Sequence, residues 1–180
     1  MNASAMTEAI AIDILDATAT EAALPALAEI LRDCVANGAS VGFMADATTA
    51  EYVRFWEGVA ADVAAGRTVL LAASIDRRLV GTTLVQLIGK TNQPHRADIA
   101  KVLVHSSARR RGIASRLMRA AEAEALGRGR DLLVLDTDRA SAAHALYTSL
   151  GWTELGTIPR YALMPDGSDC GATFFYKDLR

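Results

Sequence analysis

The sequence contains few of the residues that bind metals, form disulfides or create a strong overall charge. Only two cysteines, Cys34 and Cys170, occur among its 180 residues, and neither belongs to a Cys/His spacing typical of a zinc site or a redox pair. The formal net charge is -2, which provides no overall field to attract nucleic acid or an anionic membrane. We therefore expect no metal, no nucleic-acid partner, no membrane partner and reduced thiols.

The first residues lack the features of a targeting segment. Residues 1–14 include Glu8 and Asp13, have no basic region and contain only a short apolar stretch. A signal peptide begins with a basic region, and a membrane-spanning helix needs about 20 apolar residues. We expect neither, so the cytoplasm is the expected location.

The pattern of apolar residues predicts one α/β domain over residues 1–180. Apolar residues make up 51% of the chain, which is enough for one core. Alternating and helical spacings predict a strand at 9–15, helices at 20–35 and 48–65, strands at 68–75, 79–88 and 97–104, a helix at 112–126, a strand at 132–135, a helix at 141–150 and strands at 153–158 and 173–176. The order βααβββαβαββ predicts a mixed, mostly antiparallel central sheet flanked by helices.

The turn between the strand ending at Val104 and the next helix is rich in arginine and small residues. Residues 109–115 read Arg-Arg-Arg-Gly-Ile-Ala-Ser. Backbone N–H groups at such a turn converge on an anion, and the helix dipole favours negative charge. Gly112 and Ala114 leave room for phosphate oxygens. The sequence contains neither the P-loop motif nor a glycine fingerprint after a first strand. It therefore predicts a pyrophosphate site, with a solvated basic turn as the alternative.

Two motifs resemble those of the GNAT N-acetyltransferase superfamily. The R/Q-x-x-G-x-G/A signature is matched by Arg109, Gly112 and Ala114. The pattern L-Y-x-x-x-G-F/W is matched by Leu146, Tyr147, Gly151 and Trp152. The resemblance extends over nearly the whole chain. It implies the GNAT fold and acetyl-CoA as the co-substrate.

The same resemblance implies which residues bind the coenzyme. The backbone of the strand before the loop would hydrogen-bond the pantetheine arm at Val102, Leu103 and Val104. The signature that begins at Arg109 would place the pyrophosphate on the backbone of Arg110, Arg111, Gly112, Ile113, Ala114 and Ser115. Tyr147 would contact the coenzyme and serve as the catalytic acid.

Three further stretches look more narrowly like the tabtoxin resistance acetyltransferase branch. They are residues 38–46, 135–137 and 158–167. The resemblance implies a small amine-bearing acceptor, such as an antibiotic or toxin amino acid, and a role in antibiotic resistance. Two positions depart from the family pattern: Ala140 stands where many members carry asparagine, and Ser106 stands where proline is common.

Acetyl transfer requires a proton for the leaving thiolate and a base for the attacking amine. A tyrosine phenol has an ordinary pKa of about 10, and a thiol like that of cysteine lies near 8.5. On these values we expect the Tyr147 phenol to protonate the thiolate in a downhill step.

Two aspartates are candidates for the base. Regular alternation places Asp98 on one strand face with Ala100, Val102 and Val104, where it would line the thioester cleft. Asp136 ends a neighbouring apolar strand, where it would act as the base or position the acceptor's ammonium. A role as a turn acceptor explains Asp136 equally well.

Aromatic residues are candidates for the acceptor pocket. We expect Phe43, Trp56 and Tyr161 to form its walls. The helical spacing of Tyr52, Phe55 and Trp56 fits core packing at least as well.

We expect direct transfer within a ternary complex. Neither cysteine lies in a nucleophile motif, so no covalent intermediate is expected. A backbone N–H near Leu103 or Val104 would polarise the thioester oxygen. Two alternatives are an acetyltransferase for protein N-termini or lysines and a CoA-binding regulatory module without turnover. Because family members often pair through their C-terminal strands, the resemblance also implies a homodimer.

Overall fold

The computed structural model describes residues 9–180, which form a seven-stranded sheet with helices on both faces. The expectation that the first residues contain no targeting segment concerns, for residues 1–8, a part of the chain that the structure does not describe. The strands are β1 Ile10–Leu15, β2 Thr68–Ile75, β3 Arg78–Leu87, β4 Arg96–Val104, β5 Leu132–Asp138, β6 Thr153–Leu163 and β7 Asp169–Asp178. The helices are α1 Ala17–Ala22, α2 Leu24–Ala36, α3 Thr49–Ala64, α4 Ile113–Gly127 and α5 Ala142–Ser149. Within residues 9–180, no helix is long and apolar enough to cross a membrane.

The predicted α/β architecture is confirmed, and one helix boundary is wrong. The prediction placed one helix at 20–35, whereas the chain forms α1 and α2 with Ala23 between them. Asp16 caps α1 by accepting a hydrogen bond from the Ala19 N–H at 2.8 Å. Pro25 lies in the first turn of α2, where its missing N–H costs nothing. The proline therefore favours a new helix start over continuation from α1.

The two faces of the sheet carry separate apolar clusters. Leu71, Ile99 and Leu133 pack on the face covered by α4 and α5. Leu70 and Leu103 pack on the opposite face, against α2 and α3. We call the second one the α2/α3 face. Adjacent residues of β2 therefore lie on opposite sides, as strand geometry requires.

The sheet has a seam between β4 and β5. The strand order is β1-β2-β3-β4-β5-β7-β6, and β4 and β5 form its parallel pair. Their pairing joins Arg96 with Leu132, Ala97 with Leu133 and Asp98 with Val134, and it extends no further. Both strands continue for several residues beyond this point. The two strands thus separate, and the β5-facing edge of β4 is left without a strand partner.

A β-bulge in β4 changes which residues share a face. Thr82 pairs with Leu103 and Leu84 pairs with Ala100, so β4 has one extra residue at this point. Lys101 lies in the bulge with φ of 51°. The expectation that Asp98 shares a face with Val102 and Val104 is therefore wrong. Ala100 packs toward the α2/α3 face, whereas Val102 and Val104 pack against the α4/α5 cluster.

The last three strands are longer than their apolar patterns indicated. Strand β5 continues to Asp138, so Asp136 pairs with Phe174 inside the sheet rather than ending the strand. The turn after β5 is stabilised instead by Asp138, which accepts a hydrogen bond from the Ala140 N–H at 3.0 Å. The carboxylate of Asp136 is therefore available for another role.

Candidate active site

The predicted anion loop joins β4 to α4 in a conformation that depends on positive φ angles. A 3-10 turn, Ser106–Ala108, follows β4. Arg110 has φ of 63°, and Gly112, the N-cap of α4, has φ of 75°. The N-cap makes no side-chain hydrogen bond to the helix. Because the first turn of an α-helix lacks internal partners for its N–H groups, the amides of Ile113, Ala114 and Ser115 remain available to an anion.

The base of this loop is fixed to helix α2. The Ser106 N–H and hydroxyl both donate to the Asp33 carboxylate, each at 2.7 Å. Burial alone would raise the pKa of Asp33, but the hydrogen bonds from Ser106 hold it below its ordinary value. Proline at this position would have no N–H to donate. The departure from the family pattern at Ser106 thus has a structural role of its own.

The first arginine of the signature points back toward the strand. The Arg109 Nε donates to the Val104 carbonyl at 3.1 Å, and its guanidinium lies 4.0 Å from the Cys34 sulfur. These contacts join the end of β4 to the loop. The structure therefore places Val102, Leu103, Val104 and the loop from Arg109 to Ser115 in one continuous region beside the seam.

The candidate acid, Tyr147, lies in the core at the α4/α5 face. Its side chain is buried, with ring centroids 5.8 Å from Phe175 and 6.1 Å from Trp152. Burial, and to a lesser extent the charge of Asp136, raises the pKa of Tyr147 well above its ordinary value. The hydroxyl therefore stays protonated at any physiological pH.

This environment corrects the direction of the expected proton transfer. Even at ordinary pKa values, moving a proton from a phenol near 10 to a thiolate whose thiol lies near 8.5 is uphill by about 2 kcal/mol. The raised pKa of Tyr147 increases that difference. The step is therefore not downhill by itself. If Tyr147 acts on the thiolate, it would stabilise the developing charge mainly by donating a hydrogen bond, and complete transfer would have to be coupled to loss of the amine proton.

The two candidate bases lie on the same side of the seam. Asp98 pairs with Val134, and Asp136 is two residues farther along β5 on the same face. Among residues 9–180, the buried Asp98 Oδ1 has no hydrogen-bond partner, while Oδ2 lies 3.4 Å from the Arg96 guanidinium. Burial raises the pKa of both carboxyls, and their mutual repulsion raises that of Asp136 further. Raised pKa values make carboxylates stronger bases.

Sequence reasoning overlooked a third charged residue, Lys101. Burial lowers the pKa of its ammonium, and the charge of Asp136 acts in the opposite direction. The ammonium lies 5.0 Å from the centre of the Phe55 ring. One lysine within the otherwise apolar stretch 99–104 was the available signal. The extra residue in β4 could not be read from that pattern.

The three predicted pocket walls occupy different environments. Phe43 is partly buried, and its ring centroid lies 5.7 Å from that of Phe55. Tyr161 is 53% exposed and packs edge-on against Phe174. Trp56 has no exposed surface, so in this structure it supports Phe55 from behind and presents nothing to a ligand. The ring of Phe55, and not that of Trp56, contacts the Lys101 ammonium.

Two further segments, which we expect to border the acceptor, are connected to each other. The loop between α2 and α3 approaches the turn between β6 and β7. Ser40 Oγ donates to the Leu163 carbonyl at 2.8 Å, and the Ala45 N–H donates to the Pro165 carbonyl at 2.9 Å. Within the described part of the chain, no group of His, Cys, Asp or Glu is arranged to hold a metal. The loop before α4, the open seam and the titratable side chains are the parts that a group-transfer site for a donor with a diphosphate would need.

Comparison with known proteins identifies the family. A model described as the acetyltransferase (GNAT) family matches residues 24–152. An N-acetyltransferase from Staphylococcus aureus Mu50 has 19% identity and a TM-score of 0.79, over 96% of this chain and 99% of that chain. An acetyltransferase structure from Salmonella typhimurium, with its cofactor acetyl-CoA, has 20% identity and a TM-score of 0.78, over 96% and 95%. The ribosomal-protein-alanine N-acetyltransferase from Brucella melitensis has 26% identity and a TM-score of 0.77, over 94% and 99%.

The chain belongs to the GNAT family of acetyltransferases, because the family match covers well over half of it. Enzymes of this family use acetyl-CoA as the acetyl donor, and the chain is an acetyl-CoA-dependent acyltransferase. The narrower resemblance to the tabtoxin resistance branch stays a prediction.

Proposed function

We propose that this enzyme transfers the acetyl group of acetyl-CoA to the primary amine of a small molecule, such as an antibiotic or toxin amino acid, by direct attack in a ternary complex. The observation that carries this proposal is the covered acceptor side. Hydrogen bonds from Ser40 to Leu163 and from Ala45 to Pro165 bridge the α2–α3 loop and the β6–β7 turn, which we place across the acceptor end of the cleft. A compact amine fits behind such a bridge, whereas a polypeptide needs an open channel.

The coenzyme would lie along the seam. The unpaired edge of β4 at Val102, Leu103 and Val104 offers backbone groups to the pantetheine amides, as strand edges do to extended ligands. The first turn of α4 and the loop amides from Arg110 to Ser115 would hold the pyrophosphate. A backbone N–H near Leu103 would polarise the thioester oxygen.

The chain's own side chains would then move the protons. Asp98 or Asp136 would remove a proton from the acceptor's ammonium, directly or through a water molecule. Tyr147 would donate a hydrogen bond to the sulfur as the C–S bond breaks. No covalent enzyme intermediate is needed, since Cys34 and Cys170 are both buried and burial raises the pKa of Cys34. Two unpaired thiols also suit our proposal that the enzyme works in the reducing cytoplasm.

A second candidate is acetylation of a protein N-terminus. The Brucella melitensis relative, at 26% identity, is described as a ribosomal-protein-alanine N-acetyltransferase. Opening of the bridge at Ser40 and Ala45 would be required to admit a peptide.

A CoA-release assay tests the proposed function. Amino acids, β-lactam amino acids, polyamines and alanine-starting peptides would be compared as acceptors at saturating acetyl-CoA. Turnover of small amines with little turnover of peptides is expected. Faster turnover of peptides would replace the proposal with the N-terminal alternative. Acetyl-CoA binding without turnover of any amine would favour the regulatory module.

The two aspartates should be distinguishable by their pH dependence. If Asp98 is the base, Asp98→Asn should lower kcat/KM most at low pH and recover as rising pH deprotonates the amine unaided. Because burial raises the pKa of Asp98, the acidic limb of the wild-type profile should lie above the range of an ordinary aspartate. Asp136→Asn should then raise mainly KM. A pH–rate series on both variants measures this, and equal, pH-independent losses would exclude either aspartate as the base.

The outer strand of the sheet supports our proposal of a homodimer. Strand β6 is an edge strand, and its Leu155 and Ile158 side chains are 65% and 49% exposed. Exposed apolar residues on an edge strand favour association. Sedimentation equilibrium should give twice the 19.1 kDa chain mass. A monomer mass at micromolar concentration would contradict this.

A further inference from the structure

Lys101 has an unusual environment for a lysine. Its side chain is largely withdrawn from water, and burial lowers the pKa of the ammonium. An ammonium offers three hydrogen-bond donors. Within residues 9–180 this one forms no hydrogen bond and no ion pair, and its contact is the face of the Phe55 ring. Buried charges are normally paired, but the charge of Asp136 acts on this ammonium without forming an ion pair with it.

The backbone at Lys101 is in a strained conformation. Lys101 occupies the bulge of β4 with φ of 51°, a conformation that side-chain-bearing residues rarely adopt. Strained residues of this kind are concentrated at functional sites. A regular strand would place the residue after Ala100 on the opposite face of the sheet. The bulge instead keeps Lys101 beside Phe55 on the α2/α3 face.

The loop between α2 and α3 lies beside the ammonium. Gly42 has φ of 90°, and a Cβ atom at this position would lie 3.9 Å from the Lys101 Nζ. This is the same loop that is bridged to the β6–β7 turn. The ammonium therefore lies beside this loop and Phe55, at the end of the site where we place the acceptor.

The charges around the cleft form a complementary set. Asp98 and Asp136 supply two carboxylates on the α2/α3 face, and Lys101 supplies the cation. Asp136 and Lys101 influence each other electrostatically but are not joined as an ion pair. An acceptor with an ammonium and an acidic group could satisfy both sides of this set at once.

We propose that Lys101 binds the carboxylate of the acceptor and so selects amines of the amino-acid type. This inference rests on the proposed function, because it places the acceptor amine at the two aspartates. A charge-assisted hydrogen bond from an ammonium to a carboxylate is among the stronger polar contacts in proteins. A decarboxylated amine would leave the cation without a partner, so such amines should be poor acceptors.

Matched pairs of acceptors test this proposal. L-Phenylalanine and phenethylamine, L-lysine and 1,5-diaminopentane, and L-ornithine and 1,4-diaminobutane differ mainly in the carboxylate. Wild-type kcat/KM from CoA release should favour the amino acid of a pair by at least about tenfold. In Lys101→Met the ratio of the two kcat/KM values should fall to about one, because kcat/KM for the carboxylate-bearing member falls. The surface variant Lys90→Met removes the same charge elsewhere and should keep the wild-type ratio.

Folding and the proposed function are checked separately. Lys101→Met should keep the wild-type melting behaviour, because replacing a buried charge with an apolar side chain is often neutral. If it does not fold, Lys101→Gln, which keeps a polar side chain, takes its place. Calorimetry would also compare binding of N-acetyl-L-phenylalanine and N-phenethylacetamide to the CoA-bound protein.

The outcomes separate the two proposals. Suppose that the protein binds the carboxylated product more tightly, that this preference depends on Lys101, and that no acceptor is turned over. This result would refute the proposed function and support the carboxylate site. Turnover with equal kcat/KM for both members of each pair would support the function and overturn the carboxylate site. An equal fall in kcat/KM for both members of a pair in Lys101→Met would also overturn the carboxylate site.

Discussion

Gly112→Val is expected to abolish acetyl-CoA binding, with a loss of affinity of about 100-fold or more by calorimetry. The new side chain would occupy the space that the pyrophosphate approaches. Within residues 9–180, no heavy atom apart from those of the adjoining residues lies within 4 Å of the position of a Cβ at Gly112, so the described chain does not fill that space. At about 1.4 kcal/mol for each factor of ten, the loss corresponds to about 3 kcal/mol of binding free energy.

The positive φ of Gly112 makes a control necessary. Valine at φ of 75° strains the backbone, at a cost of about 1–3 kcal/mol. Gly66 has φ of 66° and equally open surroundings, so Gly66→Val carries the same strain away from the loop. Both variants should lose similar stability, and Gly112→Val alone should lose coenzyme binding. Gly112→Asn adds a side chain that tolerates this conformation and should also bind poorly. Unchanged affinity in folded Gly112→Asn would refute the pyrophosphate assignment.

Tyr147→Phe is expected to lower kcat by about 100-fold or more while leaving the affinity for acetyl-CoA nearly unchanged. The substitution preserves the packing of the ring between Phe175 and Trp152 and removes only the hydroxyl. Because the raised pKa keeps Tyr147 protonated as pH rises, its ionisation should produce no basic limb in the wild-type kcat profile.

Tyr52 provides a matched control for this substitution. It is also a buried tyrosine with a raised pKa, and it lies on α3. Tyr52→Phe should leave kcat close to the wild-type value. Steady-state kinetics and calorimetry on both variants measure the effect. A Tyr147→Phe enzyme with nearly normal kcat would make Tyr147 a packing residue and leave water as the proton donor.

The sequence predicted those features that depend on local chemistry. Glycine and small residues after an apolar strand are sufficient to place the loop between β4 and α4, since the conformation of Gly112 and the start of α4 are set within a few residues. The strand β2, predicted at 68–75, and the helix α3, predicted at 48–65, follow in the same way from the local apolar pattern. These features need no information from distant parts of the chain.

Features that depend on pairing between distant strands were not predicted. The bulge at Lys101 exists because β3 and β4 differ by one residue between two fixed pairs. The extension of β5 past Asp136 depends on pairing with β7. No local pattern carries this information, and for that reason Asp136 looked like a strand end and Lys101 was overlooked.

The short pairing between β4 and β5 has a consequence for motion. The four strands β1–β4 are paired with the three strands β5, β7 and β6 through β4 and β5, and this pairing consists of three residue pairs. We therefore expect local opening between the two halves of the sheet to occur at this seam, at a free energy below that of global unfolding. A ligand bound in the seam would contact both halves of the sheet and stabilise the closed arrangement. Amide hydrogens of β4 beyond Asp98 that face β5 should exchange rapidly in the free enzyme and slowly with acetyl-CoA, while those between β2 and β3 should exchange slowly in both states.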